Sequence, residues 1–294
     1  MVPKFAAADV KPQHATPLPA LPGLLLGALT SLLRRPPATP PDTAFTARFR
    51  LSGIDPAQLA GYRDFFDYRL PGVPLSYFYL PAQRAQLALM LDKRFPYPLP
   101  GLIHSGNVLR LHAIPQAASA LEIDVLTRLC HRPDEAPKIV CEVAFSQSGR
   151  PVASCTSDYR IAAKRRPKRA EPGEPEDFPE SFAPTGWIVD QATIRRYARL
   201  SGDYNPIHLS ALLARLFGCR GAIAHGMYSV GRAAAHIEHQ TARPLTAISA
   251  DFRRPVPLPA QAVLGLESTD SRRGCYGVLL KEPKLLALSG RWET

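Results

Sequence analysis

Apolar and polar residues alternate over Thr43–Leu51, the two-residue period of a half-buried β-strand. The pattern then turns helical. Asp55 followed by Pro56 has the residue types of an N-cap and a first helical position, and predicts a helix reaching about Asp67. Pro81–Lys93 repeats the arrangement, with Leu87, Met90 and Leu91 as its apolar stripe. Gly101–Ala113, Leu121–Cys130, Ile139–Ser146 and Pro151–Ala162 are then predicted as successive antiparallel strands.

The second half runs through a similar order. Thr185–Val189 predicts a short strand, and Asp190 caps a helix through Thr193, Ile194, Tyr197 and Leu200 that Gly202 stops. A turn and a short helix near Ser210–Phe217 come next. A longer helix starts near Ala224, and Met227, Val230, Ala234 and Ile237 supply its buried face. Gly231 and Ala233-Ala234-Ala235 are small enough for a sheet to approach it closely. Strands follow at about Leu245–Arg254, Val263–Ser268, Tyr276–Lys281 and Leu285–Trp292. Each half reads as a sheet wrapped around one long helix, which places the chain in the α+β class.

Proline marks the borders: much of it lies in the first forty positions and around 167–184. Residues 1–40 read as a flexible N-terminus with a short amphipathic helix, built on Leu25, Leu29 and Leu32, that packs on the body. Residues 41–163 form a first repeat and residues 181–294 a second. Between them, residues 164–180 join the basic run Lys164-Arg165-Arg166-Pro167-Lys168-Arg169 to an acidic, proline-rich one, the composition of a solvated linker. Leu18–Leu33 is too short for a bilayer and is broken by Pro19, Pro22, Gly23 and Gly27, so no membrane span is expected.

The net charge of +11 favours anionic partners. No zinc-finger spacing, aromatic RNA-binding motif or repeated basic helix accompanies it, and a nucleic-acid partner is not expected. The five cysteines have no Cys-x-x-Cys pair, which argues for a reducing compartment and a cytoplasmic protein. His236 and His239 lie one turn apart, but no carboxylate or thiol set completes a metal site, and neither a metal nor a cofactor is expected.

The chemistry concentrates in Ser201-Gly202-Asp203-Tyr204-Asn205-Pro206-Ile207-His208, followed by Ala224-His225-Gly226-Met227. Asp203 and His208 put a carboxylate and an imidazole five residues apart, in a turn where Pro206 excludes regular helix and Asn205 can bond its own backbone. Asn205 and Pro206 read as scaffold. His208 titrates near neutral pH and can exchange a proton, and Asp203 can hold water or a departing hydroxyl. Gly226 falls at a predicted helix start, where backbone N–H groups are unpaired and sit at the positive end of the helix dipole, and its missing Cβ lets a carbonyl come close. Arg253 and Arg254 follow a predicted strand and are candidates for a phosphate contact.

The run Tyr197–His208, with His225-Gly226-Met227 downstream, resembles the signature of the MaoC-like, (R)-specific enoyl-thioester hydratases, strongly over about residues 180–260. In the first half, Leu75-Ser76-Tyr77 and Phe95-Pro96-Tyr97-Pro98-Leu99 to Ile103-His104 are similar to the actinobacterial two-repeat 3-hydroxyacyl-thioester dehydratases. The resemblance implies a double hotdog, a pseudo-dimer in one chain that is itself a monomer or a homodimer. It implies a hydro-lyase interconverting trans-2-enoyl and (R)-3-hydroxyacyl thioesters of coenzyme A or acyl carrier protein, both acidic partners that suit the basic charge. Asp203 and His208 are then catalytic and Gly226 the oxyanion donor. Only the second half carries the motif, so one active site per chain is expected, with the first repeat shaping the acyl-chain pocket. The chain departs from the family on the central helix, where members often place a hydroxyl near the aspartate. Here that region reads Ala233-Ala234-Ala235, with Ser229 one turn earlier. The alternatives are a non-catalytic acyl-thioester binding subunit and a hotdog thioesterase.

Overall fold

A computed structural model of the chain describes residues 14–35, 43–100, 102–130, 137–161, 185–216, 218–282 and 284–294. The linker at 164–180 lies outside the described residues. The chain divides into two units, Met1–Ala60 with Pro71–Ala162, and Gly61–Leu70 with Ala163–Thr294.

The first unit holds β1 (Thr16–Pro17), α1 (Leu21–Thr30), β2 (Thr43–Leu51), the start of α2 (Pro56–Phe66), α3 (Tyr79–Met90), β3 (Leu102–Leu111), β4 (Leu121–Cys130), β5 (Lys138–Gln147) and β6 (Arg150–Ile161). Its strands run in the order β1-β2-β4-β5-β6-β3. The β1–β2 pair is parallel and the others are antiparallel. The alternation read from the sequence becomes an apolar inner face: Leu121, Ile123, Val125 and Leu129 on β4 and Ile139, Cys141, Val143 and Phe145 on β5 are all buried.

Three expectations for this half need correction. Of residues 1–17, read as loose, Thr16 and Pro17 pair with Phe49 and Arg50 of β2. The stretch after them is anchored by Arg34, whose guanidinium donates to the carbonyls of Met90 and Leu91 at 2.8 and 2.9 Å. Within α1 the buried leucine is Leu24, while Leu29 and Leu32 are exposed. Finally, α3 starts before Pro81, continuing a 3-10 turn at Leu75–Phe78, and buries Ala82, Ala85, Gln86, Leu89 and Met90, with Leu87 and Leu91 only half-buried.

Gln86 reaches a hydrogen-bonded cluster inside this unit. Its Nε2 and the Nδ2 of Asn107 each donate to Ser157 Oγ at 3.0 Å, and the Tyr159 hydroxyl donates to Gln86 Oε1 at 2.8 Å. Pairing these buried polar groups offsets their desolvation.

The second unit holds β7 (Thr185–Val189), α4 (Gln191–Ser201), α5 (Pro206–Leu209), α6 (Ala211–Leu216), α7 (Gly226–Thr241), β8 (Ala247–Phe252), β9 (Ala260–Asp270), β10 (Arg273–Leu280) and β11 (Leu285–Glu293). Its strands lie in the order β8-β11-β10-β9-β7, all antiparallel. Helix α7 buries Met227, Val230, Ala234 and Ile237 as expected from their spacing. Asp190 Oδ1 accepts the Thr193 N–H at 2.7 Å to cap α4, and Gly202 ends it at φ 77°.

Gly61–Leu70 packs with this second unit, although its sequence position lies within the first repeat. The reason is aromatic. Phe66 sits 5.9 Å from the ring of Tyr197 and 6.0 Å from that of Tyr228, with Tyr62 4.8 Å behind it. A Cβ on Gly231 would lie 2.6 Å from Phe66 Cζ. The small residue at 231 therefore admits an aromatic ring, where the sequence suggested a sheet.

Candidate active site

The site is assembled from three pieces of the second unit: the turn after α4, α5 and the start of α7. Gly202, in the left-handed conformation, turns the chain out of α4 and delivers Asp203. The Asp203 N–H donates to Ser201 Oγ, and Asp203 Oδ1 accepts the Asn205 N–H at 3.2 Å. Asn205 in turn caps α5, its Oδ1 accepting the Ile207 N–H at 3.3 Å. Pro206 opens α5 at its first position. That corrects the expectation that proline keeps this run out of helix: at the first position a missing N–H removes no bond and φ is already suitable. One helical turn then brings His208 round to the same side as Asp203.

His208 is buried, and its Nδ1 lies 2.9 Å from the Ile223 carbonyl oxygen. A carbonyl only accepts, so Nδ1 carries the proton and Nε2 keeps its lone pair. Gln191 Nε2 donates to the His208 carbonyl at 2.9 Å and fastens α5 to α4. Burial pushes the His208 pKa below the ordinary imidazole value, against the opposing pull of the Asp203 carboxylate. The neutral form, a base at Nε2, is thereby favoured.

One carboxylate oxygen of Asp203 and one ring nitrogen each of His208 and His225 all lie within 4.8 Å of one another. A single water donating or accepting at about 2.8 Å on each side spans that separation. These are also donor types that ligate a divalent metal, though each imidazole already has one nitrogen committed to a carbonyl.

His225, the residue before Gly226, completes this cluster, with no catalytic role assigned to it from the sequence. It is 2% exposed, its Nε2 lies 2.9 Å from the backbone oxygen of Asp203, and its ring stacks on His208 with centroids 3.7 Å apart. The available signal was its place one residue before Gly226.

Gly226 is the first residue of α7, so its N–H has no acceptor within the helix. Its missing Cβ also makes room within the fold. A Cβ here would lie 2.5 Å from Phe252 Cε1 and 2.7 Å from Cδ1. A side chain here would force the Phe252 ring of β8, which packs against the helix start, to shift. Arg253 and Arg254 follow directly on Phe252 and are exposed, and Arg253 Nε donates to Ser289 Oγ at 3.1 Å. Neither belongs to the Asp203–His208–His225 cluster. Ser229 is buried on α7, one turn from Gly226. Among the described residues no helix is long and apolar enough to cross a membrane.

Residues 168–284 match the family described as "MaoC like domain". The chain is 31% identical over 224 residues to 3-hydroxyacyl-thioester dehydratase X of Mycobacterium tuberculosis, covering 74% of this chain and 78% of that protein. Among solved structures it is similar to HtdX of Mycobacterium tuberculosis, with a TM-score of 0.71 at 23% identity over 84% of this chain and 98% of that one. It is also similar to a Mycobacterium tuberculosis protein described as having a double hotdog fold, with a TM-score of 0.53 at 13% identity over 86% and 96%. The fold is a double hotdog, and the chain belongs to the MaoC-like dehydratase family.

Proposed function

We propose that this protein is a hydro-lyase that interconverts (R)-3-hydroxyacyl and trans-2-enoyl thioesters, carried on coenzyme A or acyl carrier protein, in fatty acid metabolism. The observation that carries the reading is the pairing of a buried, neutral His208, its Nε2 free to accept, with the Asp203 carboxylate within one water of it.

In the dehydration direction, His208 Nε2 takes the proton from C2. The C–H electron pair becomes the new C2–C3 π bond, and the C3–O bond breaks toward oxygen. The departing hydroxyl, held by Asp203, receives a proton from the pair and leaves as water. Both groups act from one face of the substrate, so elimination and addition are syn. Charge building on the thioester oxygen is met by the Gly226 N–H at the positive end of α7. We assign Arg253 and Arg254, exposed just beyond Phe252, as contacts for a phosphate of the carrier group. Asn205 and Pro206 hold the turn. The five free cysteines suit a reducing, cytoplasmic setting.

The test is hydration of a chain-length series of trans-2-enoyl-CoAs, followed as loss of the conjugated thioester absorbance. Turnover is expected, and Asp203→Asn and His208→Asn are each expected to lose about 10²–10⁴-fold in kcat while remaining folded. Tight binding without turnover would identify a binding subunit, and release of free thiol a thioesterase. Wild-type rates in either variant would remove the role assigned to that residue.

A further inference from the structure

We propose that His225 is a positioning residue for this reaction, holding Asp203 by its backbone carbonyl and His208 by ring stacking. The role rests on the hydro-lyase reading above.

The first support is a local choice that costs helix stability. His225 occupies the N-cap position of α7 and makes no side-chain capping bond. Serine, threonine, aspartate or asparagine there would cap and stabilise the helix. The imidazole turns instead to the carbonyl of Asp203, 22 residues earlier, at 2.9 Å. That bond ties the turn carrying the carboxylate to the helix start carrying Gly226. Local preference is set aside where a site needs the residue for something else.

The second support is the protonation pattern that these bonds impose. The carbonyl of Asp203 accepts, so His225 Nε2 carries the proton and Nδ1 is unprotonated. Nδ1 is buried with no hydrogen-bond partner among the described residues. An unpartnered buried nitrogen is unfavourable, so this position too sacrifices stability. Burial, reinforced by the neighbouring His208, pushes the His225 pKa well below the ordinary imidazole value, while the Asp203 carboxylate opposes this. The ring therefore stays neutral beside His208.

The third support is geometric. His208 is held at one edge by the Ile223 carbonyl and on one face by the His225 ring at 3.7 Å, with 30° between the ring planes. Tyr197 packs against His225, its ring 5.0 Å away and edge-on. Rotation of His208 about its ring bond would collide with His225, so Nε2 keeps one direction. A neutral neighbour also lets His208 accept a proton during the reaction, where a charged one would oppose it.

Three substitutions separate these functions. His225→Gln keeps an N–H donor, His225→Phe keeps a ring, and His225→Ala removes both. In His225→Ala we expect kcat to fall about 10- to 100-fold, as for a displaced catalytic group, with KM within roughly threefold of wild type. Each of the other two should recover part of the loss. Nitrogen-15 NMR titration of the His208 ring reads the same effect without turnover. Wild type should show the proton on Nδ1 and a pKa below 6.5, and His225→Ala a pKa moved up toward that value as water reaches the ring.

A His225→Ala protein with a lowered Tm but unchanged kcat and His208 titration would reduce His225 to a packing residue and overturn the proposal. If His225→Ala does not fold, the Gln and Phe variants decide by the same two readouts. Should the wild type turn over no thioester, the functional reading fails by itself. An unchanged His208 titration in the variants would then separately refute the positioning role.

Discussion

Gly226→Ala is the most informative single change, because the structure and the sequence assign its consequence to different causes. The new Cβ would stand 2.5, 2.7 and 3.1 Å from Cε1, Cδ1 and Cζ of Phe252. Ordinary carbon–carbon contact lies at about 3.5–4.0 Å, so ring and helix start must separate by about 1 Å. Overpacking of this kind costs about 1–3 kcal/mol, which corresponds to a Tm lowered by roughly 2–12 °C. The displacement falls on the first turn of α7 and carries the Gly226 N–H with it. With the Gly226 N–H as the proposed oxyanion donor, its misplacement should lower kcat by about 10²-fold. The assay pairs Gly226→Ala with Gly226→Ala/Phe252→Ala, measured by thermal melts and by enoyl-CoA hydration. If the Phe252 ring is what excludes a side chain, removing it should restore activity to Gly226→Ala, and the melt of the double variant should match that of Phe252→Ala alone. A folded double variant as inactive as Gly226→Ala would refute this, and would return the glycine to its expected role of admitting the thioester.

Other outcomes follow from the same packing and charges. His208 has its pKa depressed by burial, so its base form persists below pH 6.5 and the acid limb of kcat/KM should fall below that value; a limb at or above 6.5 would count against a buried base. For stability the sign is the same. The unfolded chain takes up protons at His208 and His225 before the native one does, so their contribution is complete above about pH 6.5 and is lost as pH falls below it, which urea titrations at pH 5 and 7.5 would register. Ser157→Ala leaves the buried Gln86 Nε2 without its acceptor, while Asn107 Nδ2 keeps Cys155 Sγ at 3.4 Å, and should destabilise the first unit by about 1–3 kcal/mol; urea unfolding within 0.5 kcal/mol of wild type, about the spread of neutral surface changes, would contradict it. Asp190→Ala should cost about 1 kcal/mol through the lost cap on α4, and Asp190→Asn much less, since asparagine caps as well.

How much could be read in advance depended on how local the responsible contacts are. Strand periods, the Asp190 cap, the Gly202 stop and the α7 stripe are decided by residues within a few positions of one another, and the structure shows them where the pattern put them. The pairing of Asp203 with His208 was legible for the same reason, since five residues and one helical turn suffice to bring them together. Three features were not legible. The aromatic segment Gly61–Leu70 belongs with Tyr197, Tyr228 and Gly231, more than a hundred residues away. Leu24 is buried in place of the expected Leu29 and Leu32, a choice made by what packs on α1 and not by its own spacing. Pro206 read as a helix breaker because its position relative to the helix start was unknown.

By itself the sequence determined the α+β class, the doubling of one architecture along the chain, and the single location of the Asp203–His208 motif. Each of these is carried by short-range periodicity or by a contiguous run. The tertiary structure alone revealed that His225 lies beside them and that a side chain at 226 would meet Phe252. Both depend on pieces distant in sequence closing on one point. The Asp203 carbonyl meets a ring from the helix start, and a β8 side chain meets the same helix from the sheet. Close packing leaves no slack at such a point, so the identity of each residue is set by neighbours that no local pattern reveals.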